Sequence, residues 1–132
     1  MSARENRALT KRVFESLSQG DLAAAEKVLG RKLKTGARES VKQAKGVFPD
    51  LRVRLDDTIA EGDKVVARWT ASGTHRGAGK HPLLGTVKGS GRKLDVHGIT
   101  ILRFEKGQVV ETWGLTDELN AARQLGVIRK RA

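Results

Sequence analysis

The sequence predicts an α+β fold in which N-terminal helices are followed by a curved antiparallel sheet that wraps one of them. Two patterns and one motif carry that expectation. Before Pro49 apolar residues recur at helical spacing, and after it they alternate with polar ones in period two. The stretch 98–126, GITILRFEKGQVVETWGLTDELNAARQLG, then reads as strand, tight turn, strand and short capped helix. At 132 residues the chain is one domain, long enough for a single core.

The first helix opens on Ser2-Ala3-Arg4-Glu5, a capping box with serine at the cap and glutamate three residues on. Leu9, Val13, Phe14 and Leu17 form its apolar face, and Gly20 is expected to stop it. Asp21 caps a second helix, Leu22 to Leu29, ended by Gly30. A third is expected from about Gly36 to Val47, with Ala37, Val41, Ala44 and Val47 on one face and Pro49 barring its continuation. Leu51, Val53 and Leu55 alternate with Arg52, Arg54 and Asp56 as a half-buried strand. Glu61-Gly62-Asp63 turns the chain, and Lys64 to His75 returns antiparallel. The glycine-rich stretch 77–91 reads as a long loop, and it lacks the Gly-Lys-Ser/Thr ending of a phosphate-binding loop. Lys93 to Phe104 is the third long strand and Gln108 to Leu115 the fourth, joined through Gly107, which supplies a positive φ. Thr116-Asp117 offers the cap for a helix from Glu118 to Leu125, ended by Gly126.

Composition narrows the function classes. With no cysteine, disulfides, thiolate catalysis and cysteine–zinc sites are excluded. No apolar run approaches the roughly 20 residues of a spanning helix and no signal-peptide core follows Met1, so the expectation is a cytoplasmic protein with no membrane partner. The formal charge is +11, from 26 basic and 15 acidic residues. Lys27, Arg31, Lys32, Lys34, Arg38, Lys42 and Lys45 are opposed only by Glu39, and the tail adds Arg129, Lys130 and Arg131. Such a surface is simply solvated, binds polyanions without sequence specificity, or steers an anionic ligand.

The motif at 98–126, together with Phe48-Pro49-Asp50-Leu51 and with Glu61 to Trp69 running on to Gly73-Thr74-His75-Arg76-Gly77, resembles the SnoaL-like polyketide cyclases of the nuclear-transport-factor-two-like superfamily. The resemblance implies a single domain over 1–132 with a basic tail at about 127–132, shaped as a cone (a cystatin-like α+β barrel) whose open end holds an apolar ligand. It also implies a sheet-to-sheet homodimer. Val87 to Arg92 occupies the place of the family's Pro-Pro-Thr-Gly-Lys turn, with both prolines lost. Where the family carries an extended wall, Gly30 to Gly36 is short and basic, so either the pocket is open there or another chain covers it. The general acid/base aspartate of the cyclases falls on Gly114, and the family histidine falls on Thr100. Neither group is present, so ordinary polyketide cyclisation is expected to be absent or weak.

Other titratable residues are then weighed as acid/base groups. His75, at the end of the second strand, aligns with a cyclase histidine; it either faces the cavity or is a rim residue bonded to a loop carbonyl. Alternation puts Leu94, Val96, Leu102 and Phe104 on one face and Asp95, His97 and Arg103 on the other, which makes His97 an outer residue unless Gly98 marks a bulge. His81, beside Pro82, is expected in solvent. Asp57 shares parity with Leu51, Val53, Leu55 and Ile59 and so points to the apolar side, unless a bulge or strand end turns it to water. Asp117 suits a helix cap and Glu111 a cross-strand pair with a basic residue. No spacing fits a metal site, and no cofactor is expected.

His75 and Asp57 are therefore the catalytic candidates, and the pocket wall is expected at Trp69, His75, Thr100, Leu102, Thr112 and Gly114. Trp113, with Val109 and Leu115, is expected on the opposite, convex side near Ile99 and Ile101, forming the dimer patch. Two functions remain. One is a pocket for a small apolar organic molecule, with lyase, isomerase or cyclase-type acid/base chemistry. The other is a non-catalytic module whose basic face meets an acidic partner or nucleic acid.

Overall fold

A computed structural model describes residues 2–19, 21–77, 79–81 and 85–126, with 79–81 and 85–87 by backbone alone. The expected stop at Gly20, the side chain of His81 and the tail 127–132 lie outside the described residues. Three helices, α1 (Ala3–Ser18), α2 (Leu22–Glu26) and α3 (Arg31–Val47), precede the strands β1 (Arg52–Glu61), β2 (Lys64–Thr74), β3 (Gly79–His81), β4 (Gly85–Val87), β5 (Lys93–Glu105) and β6 (Gln108–Thr116), and α4 (Glu118–Gln124) closes the order. The long strands form one antiparallel sheet in the order β1-β2-β5-β6, and β3 and β4 pair separately. This is the expected α+β architecture.

Local chemistry sets the helix starts. The Ser2 hydroxyl accepts the Glu5 N–H at 3.1 Å while the Glu5 carboxylate reaches back to Ser2, completing the capping box. Asp21 and Asp117 cap α2 and α4 through the N–H groups of Ala24 and Asn120. The β5–β6 turn has positive φ at both Lys106 (50°) and Gly107 (78°), the pairing a two-residue hairpin of right-handed twist demands.

Helix α2 is shorter than its sequence suggests. Val28 and Leu29 leave it to bond with β6: the Val109 N–H donates to the Val28 carbonyl (2.8 Å) and the Gly30 N–H to the Val109 carbonyl (2.7 Å). Helix α3 is correspondingly longer than expected. It starts at Arg31, because Leu33 extends the inner face of Ala37, Val41 and Ala44 one turn toward the N-terminus. The basic stretch 30–36 is thus the first part of a helix and not an extended wall. From Gly30 on β6, α3 reaches the far end of β2, where the Arg76 N–H donates to the Val47 carbonyl. The loop expected over 77–91 also contains the short β3–β4 hairpin.

The core lies on the inner face of the sheet near the β1–β2 and β5–β6 turns. Val13 and Phe14 of α1 and Ala25, Val28 and Leu29 around α2 pack there against Val65, Ala67, Leu102, Phe104 and Val109. Two irregularities correct the face assignments. A bulge between Leu55 and Asp57 inverts the strand parity, so Val53 and Leu55 point inward while Asp57, opposite Arg68, points outward into solvent. The inward reading of Asp57 therefore fails for the reason a bulge supplies. A second shift between Arg103 and Phe104 brings Val109 opposite Phe104 and buries it completely (0% exposed), so Val109 does not belong to the outer patch.

Candidate functional site

The inner face changes character beyond the core. On β2 it continues through Trp69, Ala71 and Gly73 toward His75; on β5 through Thr100, Gly98 and Val96; on β6 through Thr112 and Gly114. Trp69 pairs with Gly98, and its indole lies across that glycine so closely that any Cβ there would overlap the ring. The laid-down indole donates Nε1–H to Thr100 Oγ1 at 2.9 Å. Thr100 in turn is the cross-strand partner of Gly114, and a Cβ on Gly114 would meet nothing nearer than that hydroxyl at 3.6 Å. Trp69 and Thr100 are half-buried, while Gly114 and Thr112 are open to solvent. The two positions onto which the resemblance carries the cyclase histidine and aspartate are therefore adjacent, and here they hold a hydroxyl and no side chain.

Of the six expected wall residues, Trp69, Thr100, Thr112 and Gly114 come together at this open end. Leu102 shares their face but is core, 3% exposed. His75 lies further along β2, beyond Ala71 and Gly73. Phe48 covers Gly73 and its ring stands 5.8 Å from that of His75. His75 is 1% exposed, and its Nδ1 accepts the Ser90 backbone N–H at 3.2 Å, with the Ser90 hydroxyl 3.1 Å away. An accepting Nδ1 puts the proton of the neutral ring on Nε2. The bond thus joins the end of β2 to the segment before β5 through an amide N–H where the sequence suggested a carbonyl.

Asp50 fixes the same end. Its carboxylate accepts the Thr74 backbone N–H at 2.7 Å and the Thr74 hydroxyl at 2.8 Å, and these two donors hold its pKa below the ordinary aspartate value. Sequence reasoning placed Asp50 in a motif without finding this clamp, because Thr74 is distant in the chain.

The outer face carries a different set. Ile99, Trp113 and Leu115 are 47%, 47% and 82% exposed, and with Ile101, Arg68 and His97 they line a depression of about 680 Å3. His97 is outward, as alternation requires. A hydrogen-bonded chain crosses three strands beside it. Thr70 donates its hydroxyl to Asp56 Oδ2 (2.5 Å), Arg54 Nε bonds Asp56 Oδ1 (2.6 Å), and His97 Nδ1 lies 3.0 Å from the Thr70 oxygen. The Thr70 hydroxyl, then Arg54, keep the Asp56 carboxyl below its usual range. Since the Thr70 proton is given to Asp56, its oxygen accepts from His97 Nδ1–H. Glu111 pairs across strands with Arg103 at 2.8 Å, as expected. Among the described residues no three His, Cys, Asp or Glu side chains converge as metal ligands, and no helix is long and apolar enough to cross a membrane.

Comparison with known proteins bears on the fold and the family. The model of the SnoaL-like polyketide cyclase family matches residues 9–125. AclR of Streptomyces galilaeus, a candidate hydroxylase, is 25% identical with a TM-score of 0.82, covering 97% of this chain and 100% of AclR. TsrD of Streptomyces laurentii is 29% identical with a TM-score of 0.83, covering 97% and 99%. IdmH of Streptomyces antibioticus, a candidate polyketide cyclase, shares the fold at 21% identity and a TM-score of 0.77, over 92% and 98%. No curated protein matches the sequence. With a family match over almost its whole length and the same helix-then-sheet architecture, the chain belongs to the SnoaL-like polyketide cyclase family.

Proposed function

We propose that this protein binds a small, largely apolar organic molecule at the open end of the inner sheet face, against Trp69, Thr100, Thr112 and Gly114. The observation that supports this reading best is the indole of Trp69, laid over Gly98 and tied to Thr100 beside the unfilled position 114. An aromatic floor with a few placed polar groups is what a small-molecule site needs. The aspartate route of the cyclases is not part of the reading, because position 114 has no side chain. The likeness to AclR, a candidate hydroxylase, is in keeping with a member of this family whose chemistry is not aldol closure. For acid/base work of the lyase or isomerase kind, His75 is the inner-face histidine among the described residues, buried beyond Gly73 and bonded to Ser90, so it would act only if that bond opened, while Asp57 is excluded by its outward position. The test is fluorescence of Trp113→Phe, which leaves Trp69 as the reporter, titrated with polycyclic aromatic compounds. Quenching is expected, and its loss in Gly114→Leu, which fills the space. Quenching unaffected by that filling would reject the site.

A second reading rests on α3. Arg31, Lys32, Lys34, Lys42 and Lys45 stand on a helix with no fully buried residue, and Arg38 is paired with Glu26. This face would meet an acidic partner or nucleic acid through charge alone. Such binding would weaken steeply between 50 and 200 mM salt, as counterion release requires. Assembly is part of the proposal as well: Ile99, Ile101 and Trp113 would be buried against a second copy of the chain.

A further inference from the structure

We infer that α3 is a docking ridge for duplex nucleic acid, with Arg31, Lys34, Lys42 and Lys45 seated on backbone phosphates and no reading of the base sequence. This rests on the second reading above, that the basic face of α3 meets a polyanion, and it names the partner.

Consecutive members of the set Arg31, Lys34, Arg38, Lys42 and Lys45 stand three or four positions apart, so they share one side of the helix and follow one another along it. At the helical rise the set spans about 21 Å. The packed side is a different one: Leu33, Ala37, Val41, Ala44 and Val47 are half-buried, whereas Arg31, Arg38, Lys42 and Lys45 are exposed and Lys34 is half-buried. Both ends of α3 are tied down. The Gly30 N–H donates to the Val109 carbonyl at 2.7 Å, and the Arg76 N–H to the Val47 carbonyl at 3.0 Å. The ridge is thus in place before a partner arrives, and binding need not order its backbone.

One carboxylate intrudes on it. Glu26 holds Arg38 in a bidentate pair, with Arg38 Nη2 donating to Glu26 Oε2 at 2.8 Å, and Lys34 lies near the same carboxylate without bonding to it. Glu39, the acid of α3 itself, makes no ion pair, and among the described residues no carboxylate bonds Arg31, Lys34, Lys42 or Lys45. Four cations are therefore free for phosphates.

What the ridge lacks decides the class of partner. Protein interfaces are anchored by buried aromatic or large side chains, and single-stranded nucleic acid is held by stacking on aromatic rings. Helix α3 carries no aromatic residue and exposes no large apolar side chain. A duplex backbone, with one phosphate charge per about 1.7 Å of axis, needs neither. Contacts of lysine and arginine to phosphate position a duplex and carry no sequence information.

The test is fluorescence anisotropy of a labelled DNA duplex of about 20 base pairs, titrated at roughly 50 to 200 mM salt. Four phosphate contacts give an expected slope of about −3.6 for the logarithm of the association constant against that of salt. Lys42→Gln with Lys45→Gln should flatten the slope to about −1.8. Arg4→Gln with Arg7→Gln removes the same charge from the exposed surface of α1 and should leave the slope near about −3.6. Glu26→Gln releases Arg38 as a fifth contact and should steepen the slope to about −4.5. Equal flattening by the two paired variants would assign the binding to net charge, and a preference above about tenfold for one duplex sequence would mean base readout. Tighter binding of poly-L-glutamate than of the duplex would assign the face to an acidic protein. Each of these three results overturns the inference and leaves the basic face of α3 or the net charge as a polyanion binder. Binding of neither polyanion at about 50 mM salt overturns the second reading as well.

Discussion

Thr100 on β5 and Gly114 on β6 are direct cross-strand partners, close enough that a side chain added to one would touch the other. The resemblance to the cyclases carries their proton-transfer pair onto these two positions, where this chain has neither a histidine nor an aspartate. Losing a general acid/base group lowers a rate by about 10²–10⁴-fold. The unmodified chain is therefore expected to close an anthracycline-type precursor at a negligible rate, and Gly114→Asp with Thr100→His to raise kcat/KM at least about tenfold. Absorbance-monitored turnover checks this. Efficient closure by the unmodified chain would show that the reaction does not need the pair.

Two glycines of the inner face should respond oppositely to alanine. Gly98→Ala places a methyl inside the Trp69 ring, so the indole must leave and Thr100 loses its donor. Overpacking of this kind costs about 1–3 kcal/mol, read as a lower urea midpoint, with the Trp69 emission shifted to the red. Gly114→Ala has ordinary van der Waals space and should change stability by less than about 1 kcal/mol. Equal effects would mean that Trp69 does not rest on Gly98.

The outer apolar patch should bury itself against a second copy. Trp113 and Ile99 are each half-exposed and Leu115 is more so, an array too apolar to leave in water. Burial contributes roughly 25 cal/mol per Å2, which outweighs screened repulsion between basic chains at physiological salt. Light scattering at tens of micromolar (about 10⁻⁵ M, where a micromolar interface is formed) should give a dimer for the unmodified chain and a monomer for Trp113→Arg, both folded. A monomeric unmodified chain rejects the interface.

Acid should loosen the end of the sheet held by Asp50. Its folded pKa is lowered by the two Thr74 donors, so the clamp stabilises fully above the unfolded aspartate value of about 3.9. That contribution is lost as pH falls through the lower folded value. Asp50→Asn should be less stable than the unmodified chain at pH 7, and the gap should narrow below about pH 4. Urea midpoints measured from pH 7 to pH 2 test the sign. A gap that widens on acidification would assign the stabilisation to another group.

The sequence by itself determined the α+β class, the four long strands, the Ser2, Asp21 and Asp117 caps, and the outward face of His97. Each follows from chemistry within a few residues: period-two alternation, a side-chain oxygen beside free N–H groups, a positive φ at Gly107. The same local reading aligned Thr100 and Gly114 with the missing acid/base pair. Tertiary structure decided the rest, because it depends on partners far along the chain. One extra residue at the Asp56 bulge turned Asp57 outward, and one at the Arg103–Phe104 shift turned Val109 inward, which a periodicity cannot reveal without the facing strand. The hydrogen bonds of Val28, Val109 and Gly30 shortened α2 and let α3 begin at Arg31. The Trp69–Thr100 bond joins residues 31 apart, and only the pairing of β2 with β5 puts the indole over Gly98 and gives the site its floor.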